Sequence, residues 1–130
     1  LESKGVRNVL SCGTTGEFAS LSIAEREAVT SCCVEAFGGT VIANISTCSV
    51  AESVRLAQHA KNVGCTGVIL LPSFYFAGMG DAGVKSFLGA VLAQLPLPCY
   101  LYNFPKHTGN PISPEVYREL GEAHPEIVAG

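Results

Sequence analysis

The chain has 130 residues, a net charge of −3 and a pI near 5.5. It is 48% hydrophobic and 15% charged, the balance of one folded domain with a sizeable core and not of a disordered chain. No basic block invites nucleic acid, no apolar run reaches the ~18 residues of a membrane span, and Lys4 and Arg7 interrupt the apolar residues of LESKGVRNVL, which does not read as an export signal.

The first strand is predicted at Val6–Cys12, after Leu1–Gly5, which reads as the end of a helix. Ser22-Ile-Ala-Glu25 is a capping box and opens a helix. Its apolar stripe is expected to hold Ile23, Ala24, Ala28, Val29, Cys32, Cys33, Ala36 and Phe37, with Glu25, Arg26, Glu27 and Glu35 opposite. Phe37-Gly38-Gly39 should end it with a left-handed glycine. A second strand covers Val41–Ile45. Ser49-Val-Ala-Glu52 is another capping box, for a helix from about Val50 to Val63 that stops at Gly64.

The third strand is Gly67–Leu71, followed by a helix over about Asp81–Leu95 that ends before Pro96. The fourth is Cys99–Tyr102. Ser113-Pro114-Glu115 starts the last helix, a cap residue followed by proline at the first helical position, and it ends near His124-Pro125. A fifth strand begins at Ile127–Ala129. The strands are continuous apolar runs, which suits a parallel sheet covered on both faces. Their ends recur about every 30 residues, the length of a βα unit. The fold class is therefore α/β, with parallel (β/α) units forming either an open doubly wound sheet or part of a (β/α)8 barrel.

Six cysteines raise the question of disulfides or metal. There is no C-x-x-C, Cys32 and Cys33 are neighbours that do not face each other on a helix, and Cys12, Cys48, Cys65 and Cys99 lie in or beside apolar runs. The usage fits reduced thiols in the cytoplasm, with no metal and no cofactor. Asn44-Ile45-Ser46 matches a glycosylation sequon, but it falls in a predicted buried strand.

In both architectures ligands bind at the carboxyl ends of the strands. Gly13-Thr14-Thr15-Gly16-Glu17 follows the first strand, Ser46-Thr47 the second, Pro72-Ser73-Phe74-Tyr75-Phe76 the third, and Asn103-Phe104-Pro105-Lys106-His107-Thr108-Gly109 the fourth. Each alone could be an ordinary turn. Together they must share one face, and two glycines around two hydroxyls suit an anion such as a carboxylate.

GTTGE, followed three βα units later by Tyr102-Asn103-x-Pro105-x-x-Thr108-Gly109, resembles the dihydrodipicolinate synthase / N-acetylneuraminate lyase family. The resemblance covers essentially the whole chain. It implies a (β/α)8 barrel that forms a Schiff base between a lysine and pyruvate or another 2-oxo acid, in a homo-oligomer (dimer or tetramer). It implies that Gly13, Thr14 and Thr15 hold the carboxylate of that small-molecule substrate, that Thr14 also passes a proton, and that Tyr102 is the general acid/base. Tyr75 is the candidate for an aromatic donated to a neighbouring subunit, with Phe74 as the other register. His107 and Thr108 would line the substrate side. The resemblance further implies that dihydrodipicolinate synthases usually carry Arg where His107 stands, to read a second carboxylate, so the look is closer to 2-keto-3-deoxy sugar acid aldolases. Dihydrodipicolinate synthase and N-acetylneuraminate lyase stay as alternatives.

The first residue is Leu and the only Met is Met79, which points to a trimmed chain or a piece of a longer one. The resemblance places the Schiff-base lysine just past Ile127-Val128-Ala129-Gly130, and Lys4, Lys61, Lys85 and Lys106 are not at that place. Residues 1–130 then read as one partial barrel domain, from the second strand to the start of the sixth. On that reading the isolated piece should lack activity and associate through its open strand edges. A non-catalytic half-barrel or assembly subunit is the reading from another class.

Overall fold

The computed structural model describes residues 1–129; Gly130 lies outside them. Five parallel strands stand side by side in chain order: β1 (Asn8–Ser11), β2 (Thr40–Asn44), β3 (Gly67–Leu70), β4 (Cys99–Leu101) and β5 (Val128–Ala129). Between them run α1 (Ile23–Ala36), α2 (Val50–Val63), α3 (Gly80–Leu92), the four-residue α4 (Pro105–Thr108) and α5 (Pro114–Ala123). The register places Leu10 beside Ile42 and Ile42 beside Gly67, then Ile69 beside Tyr100 and Tyr100 beside Ala129.

Strand order never reverses. A doubly wound sheet reverses at a switch point and carries helices on both faces. Here α1 packs on α2, α2 on α3 and α3 on α5, which makes one continuous helix layer. That winding is the outer shell of a (β/α)8 barrel and excludes the open doubly wound alternative.

The core lies between this layer and one face of the sheet. Val41, Ala43, Val68, Leu70 and Cys99 meet Leu56, Ala57, Val84, Leu88, Val91 and Leu120, all buried. Burying such a side chain stabilises by roughly 1.5–3 kcal/mol. The opposite face is not covered as expected from the continuous apolar runs: Leu10 and Tyr100 remain 44% and 42% exposed.

The local punctuation is as the sequence reads it at several ends. Ser22 and Glu25 form the full reciprocal capping box. Gly64 ends α2 with φ 102°, and Ser113 caps α5 ahead of Pro114. Three expectations fail. Ser49 accepts from the Glu52 amide, but the reciprocal half of that box is not formed. Gly38 and Gly39 do not make a left-handed cap, because the helix closes on extended Phe37. Gly39 is needed instead for space, since a Cβ there would collide with the Arg7 carbonyl oxygen.

The third failure is the phase of α1. Arg26 and Thr30 are buried, Ile23, Cys33, Val34 and Phe37 pack on the core, and Ala24, Ala28, Val29, Cys32 and Ala36 face outward. Alanine and cysteine distinguish weakly between the two faces. The polar groups decide the rotation: Thr30 Oγ1 lies 3.1 Å from Ser11 Oγ, and the Arg26 guanidinium donates to the carbonyls of Asn44 (2.7 Å) and Ser46 (2.9 Å).

Cys65 and Cys99 are buried, and Cys32 and Cys48 are exposed. Burial pushes the Cys99 thiol up from 9.0 to about 12. It pushes Cys65 up to about 11, with Cys33 nearby adding to the rise. A raised folded value means the native state holds these protons more tightly than the unfolded chain. Their contribution to stability is complete below about pH 9 and is lost as pH rises through the folded values. Ellman's reagent at pH 8 should therefore label Cys32 and Cys48 readily and Cys65 and Cys99 only in denaturant. The urea midpoint should fall as pH is raised above 9.

Candidate active site

The site forms where β1, β3 and β4 release their loops. β1 ends at Ser11 and the chain turns at Cys12, whose φ of 54° is left-handed and uncommon for a residue with a Cβ. The turn that follows is tight: the Glu17 amide donates to the Thr14 carbonyl at 3.0 Å, and a Cβ on Gly16 would lie 3.3 Å from the Gly13 backbone. This turn lifts Thr14 toward β4. Tyr102 is fixed by its own amide, which donates to the Leu70 carbonyl at 2.8 Å. Its ring stacks on Phe104 with centroids 5.5 Å apart. Thr14 Oγ1 and Tyr102 Oη then meet at 3.5 Å across the mouth of the sheet.

The loop after β4 is shaped by its polar residues. Asn103 clips Ile112 from both sides, donating to its carbonyl (3.1 Å) and accepting from its amide (3.0 Å). Pro105 starts α4, and Gly109 ends it with φ 66°, where a Cβ would be 2.6 Å from Ala77 Cβ. Thr108 is buried and its hydroxyl stays within the turn, on the Asn110 carbonyl and amide. Asn110 is completely buried. It donates to the carbonyls of Ser73 (2.7 Å) and Phe76 (2.8 Å) and accepts from the Met79 amide (2.9 Å). The loops after β3 and β4 are thereby one unit.

A cavity of about 290 Å³ lies beside the hydroxyl pair, walled by Thr14, Phe18, Leu71, Phe74, Phe104 and His107. Phe18 and Phe74 meet edge to face at 5.8 Å, and Phe104 and His107 at 4.3 Å. A larger hollow of about 780 Å³ runs along the outer edge of β1 between Leu1, Leu10 and Phe37, away from these loops. Its walls are apolar apart from Ser3 and hold no hydroxyl pair.

Of the residues singled out in the sequence, Thr14 and Tyr102 meet through their hydroxyls, and Thr14 and His107 line the cavity, which Tyr102 does not. Gly13 sits half-buried behind them against Leu10, and Thr15 is exposed on the same loop. Thr108 lines the cavity with its hydroxyl already engaged. Tyr75 is 79% exposed and packs on Phe76, outside the cavity, while Phe74 forms the wall. Phe74 thus belongs to this chain's own cavity, and Tyr75 is the one of the two that points outward. Lys4, Lys61, Lys85 and Lys106 are exposed, and no lysine lines the cavity. Among the described residues, no three His, Cys, Asp or Glu side chains gather as a metal would require.

Arg26 and Asn44 are the residues that sequence reading passed over. Arg26 lies behind Phe18, with its guanidinium carbon 5.1 Å from the ring centroid. It has no salt-bridge partner among the described residues, its Nε is without a hydrogen-bond partner, and burial holds its pKa below the usual guanidinium value. Asn44 is 3% exposed in a strand of apolar residues. A polar residue inside such a run was the available signal, because buried polar groups are there to be bonded.

A singly wound parallel sheet backed by one helix layer is the architecture of the (β/α)8 barrels. The chain belongs to the dihydrodipicolinate synthetase family, which it matches over residues 2–129. It is 37% identical over 130 residues to the 4-hydroxy-tetrahydrodipicolinate synthase of Methanosphaerula palustris, covering 98% of this chain and 44% of that protein. YagE, a prophage protein of the dihydrodipicolinic acid synthase family from E. coli K12 solved in complex with pyruvate, superposes with a TM-score of 0.88 at 25% identity, over 98% of this chain and 44% of that one. The 2-keto 3-deoxygluconate aldolase of Picrophilus torridus superposes with a TM-score of 0.93 over 98% of this chain and 47% of that one; at 22% identity it speaks for the fold alone. The chain spans under half the length of these relatives.

Removing the Asn110 side chain leaves several buried carbonyls and an amide unpaired, each lost bond costing about 1–3 kcal/mol. Asn110→Ala should lower the urea midpoint more than Asn103→Ala, because Asn103 holds the single residue Ile112 whereas Asn110 holds Ser73, Phe76 and Met79 across another loop. Equal midpoints would show that the two loops do not depend on Asn110.

Proposed function

We propose that the protein carrying this chain is a class I aldolase-type lyase that forms a Schiff base with pyruvate or a related 2-oxo acid. The observation that carries this is the meeting of Thr14 and Tyr102 hydroxyls at 3.5 Å beside a cavity at the carboxyl edge of the sheet. Gly13, Thr14 and Thr15 supply donors for the carboxylate. As an amine adds to the 2-oxo carbon, a carbinolamine forms and its hydroxyl must leave as water. Tyr102 gives that hydroxyl its proton and Thr14 relays it, which suits two hydroxyls in contact. The lysine that supplies the amine would follow β5, at the place the family resemblance gives it. The pyruvate complex of the E. coli relative supports the choice of 2-oxo acid.

Substrate choice turns on His107. Its ring, packed edge-on against Phe104, offers single donors or acceptors and not the bidentate fork with which Arg holds a carboxylate. That favours a sugar-acid substrate of the 2-keto-3-deoxy type over one with a second carboxylate. The curated relative keeps 4-hydroxy-tetrahydrodipicolinate synthase as the second reading. Thr108 in this account holds the turn that presents His107. Tyr75, turned outward, is available to a neighbouring subunit of a homo-oligomer. Residues 1–130 would form the second strand to the start of the sixth in the complete barrel.

Borohydride added to the full-length protein with pyruvate should fix a stable mass on one lysine. Tyr102→Phe should slow that trapping by about 10²–10⁴-fold with little change in thermal stability. Full speed in the variant would remove Tyr102 from the mechanism. Absence of any adduct in the unaltered protein would favour the non-catalytic half-barrel.

A further inference from the structure

We infer that Asn44 is a positioning residue that sets the Thr14–Tyr102 hydroxyl pair by latching the carboxyl ends of β1, β2 and β3 together. The inference rests on the reading of that pair as the proton relay. Thr14 and Tyr102 follow strands with two others between them, at ~4.8 Å per step. Their contact depends on the path the chain takes out of β1. That path begins at Cys12, where the regular ladder ends and the backbone turns left-handed. Left to itself, a residue with a Cβ disfavours that conformation.

The turn leaves the Cys12 carbonyl without a ladder partner, and Asn44 Nδ2 donates to it at 2.7 Å. The other side of the same amide, Oδ1, accepts from the Ser46 amide at 2.9 Å and from Ser46 Oγ at 2.6 Å. Ser46 Oγ in turn accepts from the Leu71 amide at 2.8 Å. Leu70 carries Tyr102 through its carbonyl. The chain of bonds thus runs unbroken from Cys12 to Tyr102. Arg26 grips the carbonyls of both Asn44 and Ser46 from behind.

Only a side chain with a donor and an acceptor at the same branch point fits. The Ser46 amide must donate, so Oδ1 faces it, and Nδ2 is left for the Cys12 carbonyl. Aspartate has the shape without the donor. Alanine has neither. The sequon at this position is closed to modification, since Asn44 and Ser46 are both buried with their polar atoms engaged.

The test uses the full-length protein, with pyruvate trapping and steady-state kinetics on Asn44→Ala, Thr14→Val and the double variant. Asn44→Ala should lower kcat on the order of 10²-fold, the cost of roughly 1 Å of misplacement, with a much smaller change in KM. Added to Thr14→Val, it should lower kcat by less than about threefold, because two changes acting through one contact are not additive. Equal factors in both backgrounds, or an unchanged kcat for folded Asn44→Ala, would overturn the inference. Should Asn44→Ala fail to fold by circular dichroism, Asn44→Asp replaces it. That variant keeps both Ser46 bonds, loses the donation to Cys12, and should show the same pattern. Unfolding of both variants would assign Asn44 to folding and overturn the positioning role. If the unaltered protein traps no pyruvate, the proposed function falls and this inference with it. Trapping in the unaltered protein and in Asn44→Ala at one rate overturns the inference alone.

Discussion

A buried hydrogen-bonding group left without a partner costs more than a made bond gains, and the carboxyl end of this sheet is crowded with such groups. Ser11, Asn44, Ser46, Thr47, Ser73, Thr108, Asn110 and Arg26 are all buried there. Thr47 and Thr108 bond close by in the chain, while Ser11, Arg26, Asn44, Ser46 and Asn110 find partners on another strand, helix or loop. The solution is a set of cross-strand bonds in which one side chain serves two or three backbone groups. Because the groups are shared, no loop at this end can be placed independently of its neighbours.

This divides the molecule along the strand axis. Below, Val41, Val68, Leu88 and their neighbours hold the sheet to its helices by apolar packing, which sets spacing but not the direction of any one side chain. Above, Asn44 and Ser46 tie the first three strand ends, and Asn110 ties the loops after β3 and β4. The hydroxyls of Thr14 and Tyr102 sit where these two polar sets approach each other. Pre-set geometry of this kind lets a site meet its substrate without rearranging.

Arg26 shows how far the polar end dictates the rest. Burying a guanidinium without a carboxylate is unfavourable, and burial depresses its pKa accordingly. Two backbone carbonyls and the face of Phe18 offset that cost. The same contacts turn α1 so that its small apolar residues face away from the sheet.

The order of strands and helices, the caps at Ser22 and Ser113, the stop at Gly64 and the four polar loops were legible in the sequence. They rest on local rules: periodicity, capping and turn chemistry act between residues a few positions apart. The family pattern was legible as well, because GTTGE and Tyr102-Asn103-x-Pro105 keep their order and spacing. Where sequence reading erred, the deciding contact was distant. The rotation of α1 depends on carbonyls at Asn44 and Ser46. The half-made cap at Ser49 shows that a local motif sets only what its own few residues control. The branch at Asn44 joins residues 12, 44, 46 and 71, which become neighbours only after parallel pairing fixes the register. Hydrogen bonds need atoms within about 3 Å, and no pattern along the chain carries distance across three strands. Local pattern therefore determined which elements form and which residues leave the strand ends; tertiary pairing alone decided which of them touch.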